Sequence, residues 1–112
     1  MSYKVKREMK DGRLVRLYLG IPEVDAYLDF LKYRCRLNTW ISYAHDLQAF
    51  VNVIEKPLVL VKTRDIFAFI KQQSEMPARR KRGEDLVALS PGLAPRTIKR
   101  RLAAISGFYS YL

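Results

Sequence analysis

An all-α domain of four helices is what these 112 residues predict, and three features predict it. Apolar residues recur at helical spacing in four separate stretches. Proline or a cap-forming polar residue stands at the start of those stretches. The chain is 49% hydrophobic and 12% aromatic, which argues for a folded globule, and its length allows one core and not two. The four helices are expected to share one domain over residues 21–112, behind a basic leader of residues 1–20.

In the leader, residues 3–9 and 13–19 flank Lys10-Asp11-Gly12. Asp-Gly suits a two-residue hairpin turn, because both positions need or tolerate positive φ. Val15, Leu17 and Leu19 alternate with Leu14, Arg16 and Tyr18. A lone two-stranded hairpin is only marginally stable. Two readings therefore stand: a short basic β-hairpin, or a basic tail that orders against a partner.

Gly20-Ile21-Pro22 opens the first helix, with proline at its first position and Glu23 and Asp25 at the end that favours negative charge. Val24, Tyr27, Leu28, Leu31 and Cys35 form its inward stripe. Cys35 reads as a core residue, since no thiolate-stabilising neighbour is apparent. The second helix is expected to start at Asn38 as N-cap. Trp40, Tyr43, Leu47, Phe50, Val51 and Ile54 cover one side of it, and Asn38, Ser42, His45 and Asn52 line the other. Pro57 stops it.

Thr63 can cap a third helix, with Asp65 in its first turn and Ile66, Phe67, Phe69 and Ile70 as its apolar side. Residues 74–94 then lose all periodicity. They hold Pro77, Gly83, Pro91, Gly92 and the run Arg79-Arg80-Lys81-Arg82, while Leu86, Val87 and Leu89 suggest a partial return to the core. Four consecutive cations read by default as a solvated loop. The fourth helix runs from Pro95 to Leu112, with Ile98, Leu102, Ile105, Tyr109 and Leu112 on one stripe. Arg96 and Arg100 fall on the opposite side with the small residues Ala103 and Gly107, and Lys99 and Arg101 lie on the flanks.

The formal charge of +10 sits at the ends of the chain. Residues 1–20 carry six Lys/Arg against two acids, residues 21–75 seven against seven, and residues 76–112 eight against two. Such an imbalance points to an anionic partner, nucleic acid before membrane. No stretch approaches the ~20 apolar residues of a membrane span, and no secretory leader opens the chain. The single cysteine suits a reducing compartment.

Enzyme chemistry finds no candidates. There is no glycine-rich phosphate loop, no Cys/His set with metal-ligand spacing, and only one histidine, His45, which reads first as a surface residue. The carboxylates read as solvent-facing or helix-start groups. Neither a cofactor, a metal nor a small-molecule ligand is expected. The chain is a binder.

At that point two segments carry a resemblance. NTWISYAHDLQAF (Asn38 to Phe50) and GLAPRTIKRRLAAISGFYSYL (Gly92 to Leu112) resemble the signature helices of the N-terminal core-binding, SAM-like domain of tyrosine recombinases, the family of phage integrases. KTRDIFAFI (Lys62 to Ile70) is similar to the helix that links them. The likeness covers about residues 22–112, in order. It departs from the family at Ala94, where a serine often caps the last helix, a loss of about 1 kcal/mol, and in the long basic loop of residues 74–91.

The resemblance implies a four-helix, bundle-like orthogonal domain that forms half of a C-shaped clamp around double-stranded DNA, used in DNA integration and recombination by a cytoplasmic prokaryotic, phage or mobile-element protein. The fragment itself is expected to be no enzyme. The catalytic domain, with its nucleophilic tyrosine, would lie outside this chain, and Tyr109 and Tyr111 match a structural aromatic pair. Asn38, Thr39, Ser42 and His45 of the second helix and Arg96, Lys99, Arg100 and Arg101 of the fourth are the expected DNA contacts, with Arg79, Arg80, Lys81 and Arg82 as further phosphate contacts. Without the resemblance these cations would read as solubilising residues. Other recombinase protomers are expected partners of the full-length protein. Two alternatives belong to other classes. A helix-turn-helix-like regulator would work as a dimer on a two-fold site. A helical protein-interaction module would use Phe108 and Tyr111 as exposed anchors, with little salt dependence.

Overall fold

The structure is a computed structural model that describes residues 2–54, 56–75 and 94–112. It contains a hairpin of β1 (Lys6–Lys10) and β2 (Arg13–Tyr18), then α1 (Pro22–Lys32), α2 (Leu37–Val53), a 3-10 turn (Leu58–Leu60), α3 (Thr63–Glu75) and α4 (Pro95–Tyr111). The expected four-helix, all-α architecture is present, and the leader is a hairpin. No helix among the described residues is long and apolar enough to cross a membrane.

Asp11 at φ 52° and Gly12 at φ 76° make the two-residue turn, with Lys10 opposite Arg13. This double positive φ matches the right-handed twist of the strands it joins. The register shifts between Glu8 and Met9, leaving Val15 as the extra residue of a bulge. Its carbonyl is not left bare, because Lys32 Nζ donates to it at 2.8 Å.

A hairpin this small persists because it joins the helical core. Leu17 and Leu19 are buried with Val24, Leu28, Leu47 and Phe50. Polar ties reinforce the join. Arg16 forms a two-pronged ion pair with Asp29 at 3.2 and 3.3 Å, and the backbone N–H groups of Leu19 and Gly20 donate to the Asp25 carboxylate. Asn52 accepts from the Tyr3 N–H and donates to the Tyr3 carbonyl, and Gln48 accepts from the Val5 N–H. Gln48 and Asn52 are i, i+4 neighbours on one helix face, so together they grip an extended strand as a sheet neighbour would. Residues 3–20 are thus tied to the four-helix unit rather than standing apart from it.

Inside the bundle, Trp40 donates its indole N–H to the Leu28 carbonyl, fixing α2 against α1. Phe50 meets Phe69 and Tyr109 edge-on, joining α2 to α3 and α4. Tyr27 sits between Phe30, Phe108 and Tyr111 where α1 meets α4. α4 can approach there because Gly107 has no side chain, and a Cβ at that position would run into the Tyr27 hydroxyl.

Several sequence-based expectations are corrected. α2 begins at Leu37 with Arg36 as N-cap, so Asn38 lies in its first turn and does not cap it. The inward stripe of α4 is rotated: Ala104, Ile105 and Phe108 are buried, Ile98, Leu102 and Tyr109 are half-buried, and Leu112 is exposed. Gly107 therefore faces α1 and not solvent, and Phe108 is a core residue and no exposed anchor. Thr63 starts α3 as its first helical residue, and Asp65 accepts from the Lys62 N–H. Phe67 of α3 is exposed, not apolar filling. Leu86, Val87 and Leu89 lie outside the described residues.

Candidate nucleic-acid interface

The candidate surface is built on α2 and α4. At about 100° per residue, Asn38, Ser42, His45 and Asn52 share the outer side of α2, opposite Trp40, Leu47, Phe50 and Val51. Asn38, Thr39 and His45 are exposed and Ser42 is half-buried. Asn52 is committed to Tyr3, which leaves the N-terminal half of this face open. The outer side of α4 carries Arg96, Lys99, Ala103, Ser106 and Ser110, all exposed.

Arg100 and Arg101 do not simply face solvent. Both bind Asp46, a fully buried carboxylate on α2 that the sequence reading missed. Arg100 donates from Nε and Nη2 to the two Asp46 oxygens at 2.7 Å each, and Arg101 Nε donates to Oδ1 at 3.1 Å. Arg101 also donates to Gln73 Oε1, which carries the network into α3. Charge-assisted, bidentate bonds of this type are among the strongest polar contacts in proteins. The Asp46 hydrogen bond and charge hold the Arg100 guanidinium above its ordinary pKa. One carboxylate facing two guanidiniums leaves a surplus positive charge. The Arg100 side chain is still 39% exposed, against 18% for Arg101. With five N–H donors on a guanidinium, Arg100 keeps donors that point outward.

Sequence offered one signal for Asp46. It sits beside the polar face of an amphipathic helix, 54 residues from two adjacent arginines on another helix. Such a pairing is visible only once the helices are packed.

The helix ends add to the electrostatics. α1 and α3 carry acids in their first turns, Glu23 and Asp25 in one and Asp65 in the other. α2 and α4 carry none, and neither has a side-chain cap. Arg36 is the N-cap of α2 and Arg96 lies in the first turn of α4, with Lys99 one turn further in. Cations there oppose the helix dipole at a cost of a few tenths to 1 kcal/mol each. The same free N–H groups and positive dipole end attract anions.

Arg79, Arg80, Lys81 and Arg82 lie outside the described residues. Among the described residues no group of three His, Cys, Asp or Glu could hold a metal. Exposed aromatic surface occurs at the C-terminal ends of α1 and α4, where Phe30 and Tyr111 pack with ring centroids 5.0 Å apart.

Comparison with curated proteins and with solved structures gave no match. The family comparison did: residues 24–112 match the model of the phage integrase N-terminal SAM-like domain. That span takes in α2, α3, α4 and all but the first two residues of α1, and the chain belongs to this family of integrase domains.

Proposed function

We propose that this domain clamps duplex DNA for a tyrosine recombinase, with the N-terminal halves of α2 and α4 laid against the phosphate backbone. Strand transfer itself would be the work of a separate catalytic domain. One observation carries the reading: two neighbouring helices each have a cation at their start, Arg36 and Arg96, with no acid in the first turn, and are bolted together through Asp46 and Arg100. A solubilising surface has no need to concentrate positive charge where it weakens a helix. A phosphate-binding surface does.

The roles divide by geometry. Arg96 and Lys99 are exposed and contact phosphates, which fix position without reading sequence. Asn38, Thr39, Ser42 and His45 supply shorter polar contacts from α2. Arg100 is shared, holding Asp46 with two donors and offering the rest to DNA. Arg101 is a positioning residue whose bonds go to Asp46 and Gln73. The run Arg79 to Arg82 would add sequence-independent attraction, and other recombinase protomers would meet the domain away from the DNA face.

The test is duplex binding as a function of salt. Replacing Arg96 and Lys99 by Gln should make the slope of log K against log salt shallower by about 0.9 for each lost phosphate contact, while the unfolding midpoint rises slightly as the opposed helix dipole is relieved. An unchanged slope and affinity would remove both residues from the interface. Absence of duplex binding by the wild-type domain at low salt would overturn the whole reading.

A further inference from the structure

The hairpin carries a charge that the α2–α4 surface does not account for. Lys4, Lys6, Arg7, Lys10 and Arg13 are all exposed, against only Glu8 and Asp11. Among the described residues none of the five cations makes an ion pair, whereas Arg16 is spent on Asp29. Every residue of β1 is exposed. Edge strands often carry a lysine or two to block pairing with other chains. Five cations, Lys4 ahead of the hairpin, Lys6, Arg7 and Lys10 in β1 and Arg13 at the start of β2, exceed that need.

Position is the second argument. Tyr3 is held by Asn52 and Val5 by Gln48, so the leader runs antiparallel to α2 and heads for its N-terminal end. That is the end bearing Asn38, Thr39 and Ser42. By helical geometry Gln48 lies roughly 160° around α2 from Asp46, and Asp46 marks the side on which α4 packs. The open face of α2 therefore lies between two basic walls, α4 on one side and the leader on the other. Leu17, Leu19, the Arg16–Asp29 pair and the Lys32 bond to Val15 anchor the hairpin, so this wall is fixed to the core.

We propose that the hairpin is a second, sequence-independent phosphate-binding element that grips duplex DNA across the exposed face of α2. This rests on the DNA-clamping reading above and extends it beyond the two helices. From Lys4 to Lys10 the strand spans roughly 20 Å, enough to meet several phosphates of one backbone. The contact is electrostatic and indifferent to base identity.

The experiment uses the whole 112-residue chain with Lys4, Arg7, Lys10 and Arg13 changed to Gln, bound to two duplexes of unrelated sequence. The expected result is a salt slope shallower by about 2 to 4, equal on both duplexes, with unchanged helical circular dichroism. In the unmutated chain, Lys4, Lys6 and Lys10 should become protected from acetylation when duplex is added, a measurement that needs no variant to fold. Wild-type binding with an unaltered slope in the variant, or lysines equally reactive with and without DNA, would overturn the hairpin's role and leave the α2–α4 reading intact. Failure of the wild-type chain to bind any duplex would overturn both.

Discussion

The Asp46 carboxylate, wholly shielded from solvent, is clasped through both oxygens by the Arg100 guanidinium, 54 residues further along the chain. This contact fixes where α4 lies on α2, and hence where Arg96 and Lys99 point. Removing one partner of a buried ion pair leaves the other uncompensated, which costs far more than the pair contributes net. The two partners are not equivalent here. Without Asp46, two guanidiniums lose their counter-charge. Without Arg100, Asp46 still holds Arg101. Asp46→Asn should therefore lower the unfolding free energy by about 3 kcal/mol, and Arg100→Gln by about 1 to 2 kcal/mol, as read from urea midpoints. Equal effects would show that Arg101 does not share the load.

Gly107 gives a change of sign to look for. Alanine in place of a mid-helix glycine ordinarily stabilises by up to about 1 kcal/mol. At Gly107 the added methyl would strike the Tyr27 hydroxyl, and Tyr27 is confined by Phe108 and Tyr111. Gly107→Ala should therefore destabilise the domain by about 1 to 3 kcal/mol. In a Tyr27→Phe background, where the hydroxyl is gone, the same substitution should be neutral or stabilising. A thermal-melt double-mutant cycle separates the two cases.

What sequence could read was periodic, and what it missed was pairing. The starts of α1 and α4 were legible because Pro22 and Pro95 mark a first helical position, and the hairpin turn because Asp11-Gly12 tolerates positive φ. The inward face of α4 was read about one residue out of phase, since Ile98, Leu102 and Tyr109 are as apolar as Phe108. The deciding factor was the close approach to Tyr27 that Gly107 permits. Arg96 and Lys99 are on the surface as the pattern implied, whereas Arg100 and Arg101 are drawn toward Asp46. No local pattern announces a carboxylate whose partners lie on another helix. The anchoring of residues 3–5 on Gln48 and Asn52 is equally non-local.

If the hairpin is part of the core, damage to its buried side must be felt by the helices. Leu17 has no exposed surface and sits among α1 and α2 residues. Leu17→Ala should cost about 2 to 5 kcal/mol and lower the melting temperature of the helical circular-dichroism signal. A leader that merely rested on the surface would lose its own structure and leave the helical transition where it was.

Two tyrosines should report the core by titration. Burial, foremost, pushes the Tyr27 and Tyr109 hydroxyls from 10.0 up to about 12. Tyr109 also donates to the Leu58 carbonyl at 2.9 Å, a bond that its phenolate form loses. Both groups are neutral in the fold and ionise more readily in the unfolded chain. Their contribution to stability is thus fully present below pH 10 and is lost as pH rises toward 12. In a phenolate absorbance titration, Tyr27 and Tyr109 should ionise late, in step with alkaline unfolding. Tyr109→Phe should remove one late step and cost about 1 kcal/mol at neutral pH through the lost hydrogen bond. Ionisation of Tyr27 and Tyr109 near pH 10, with the helices still folded, would contradict their shielding from water.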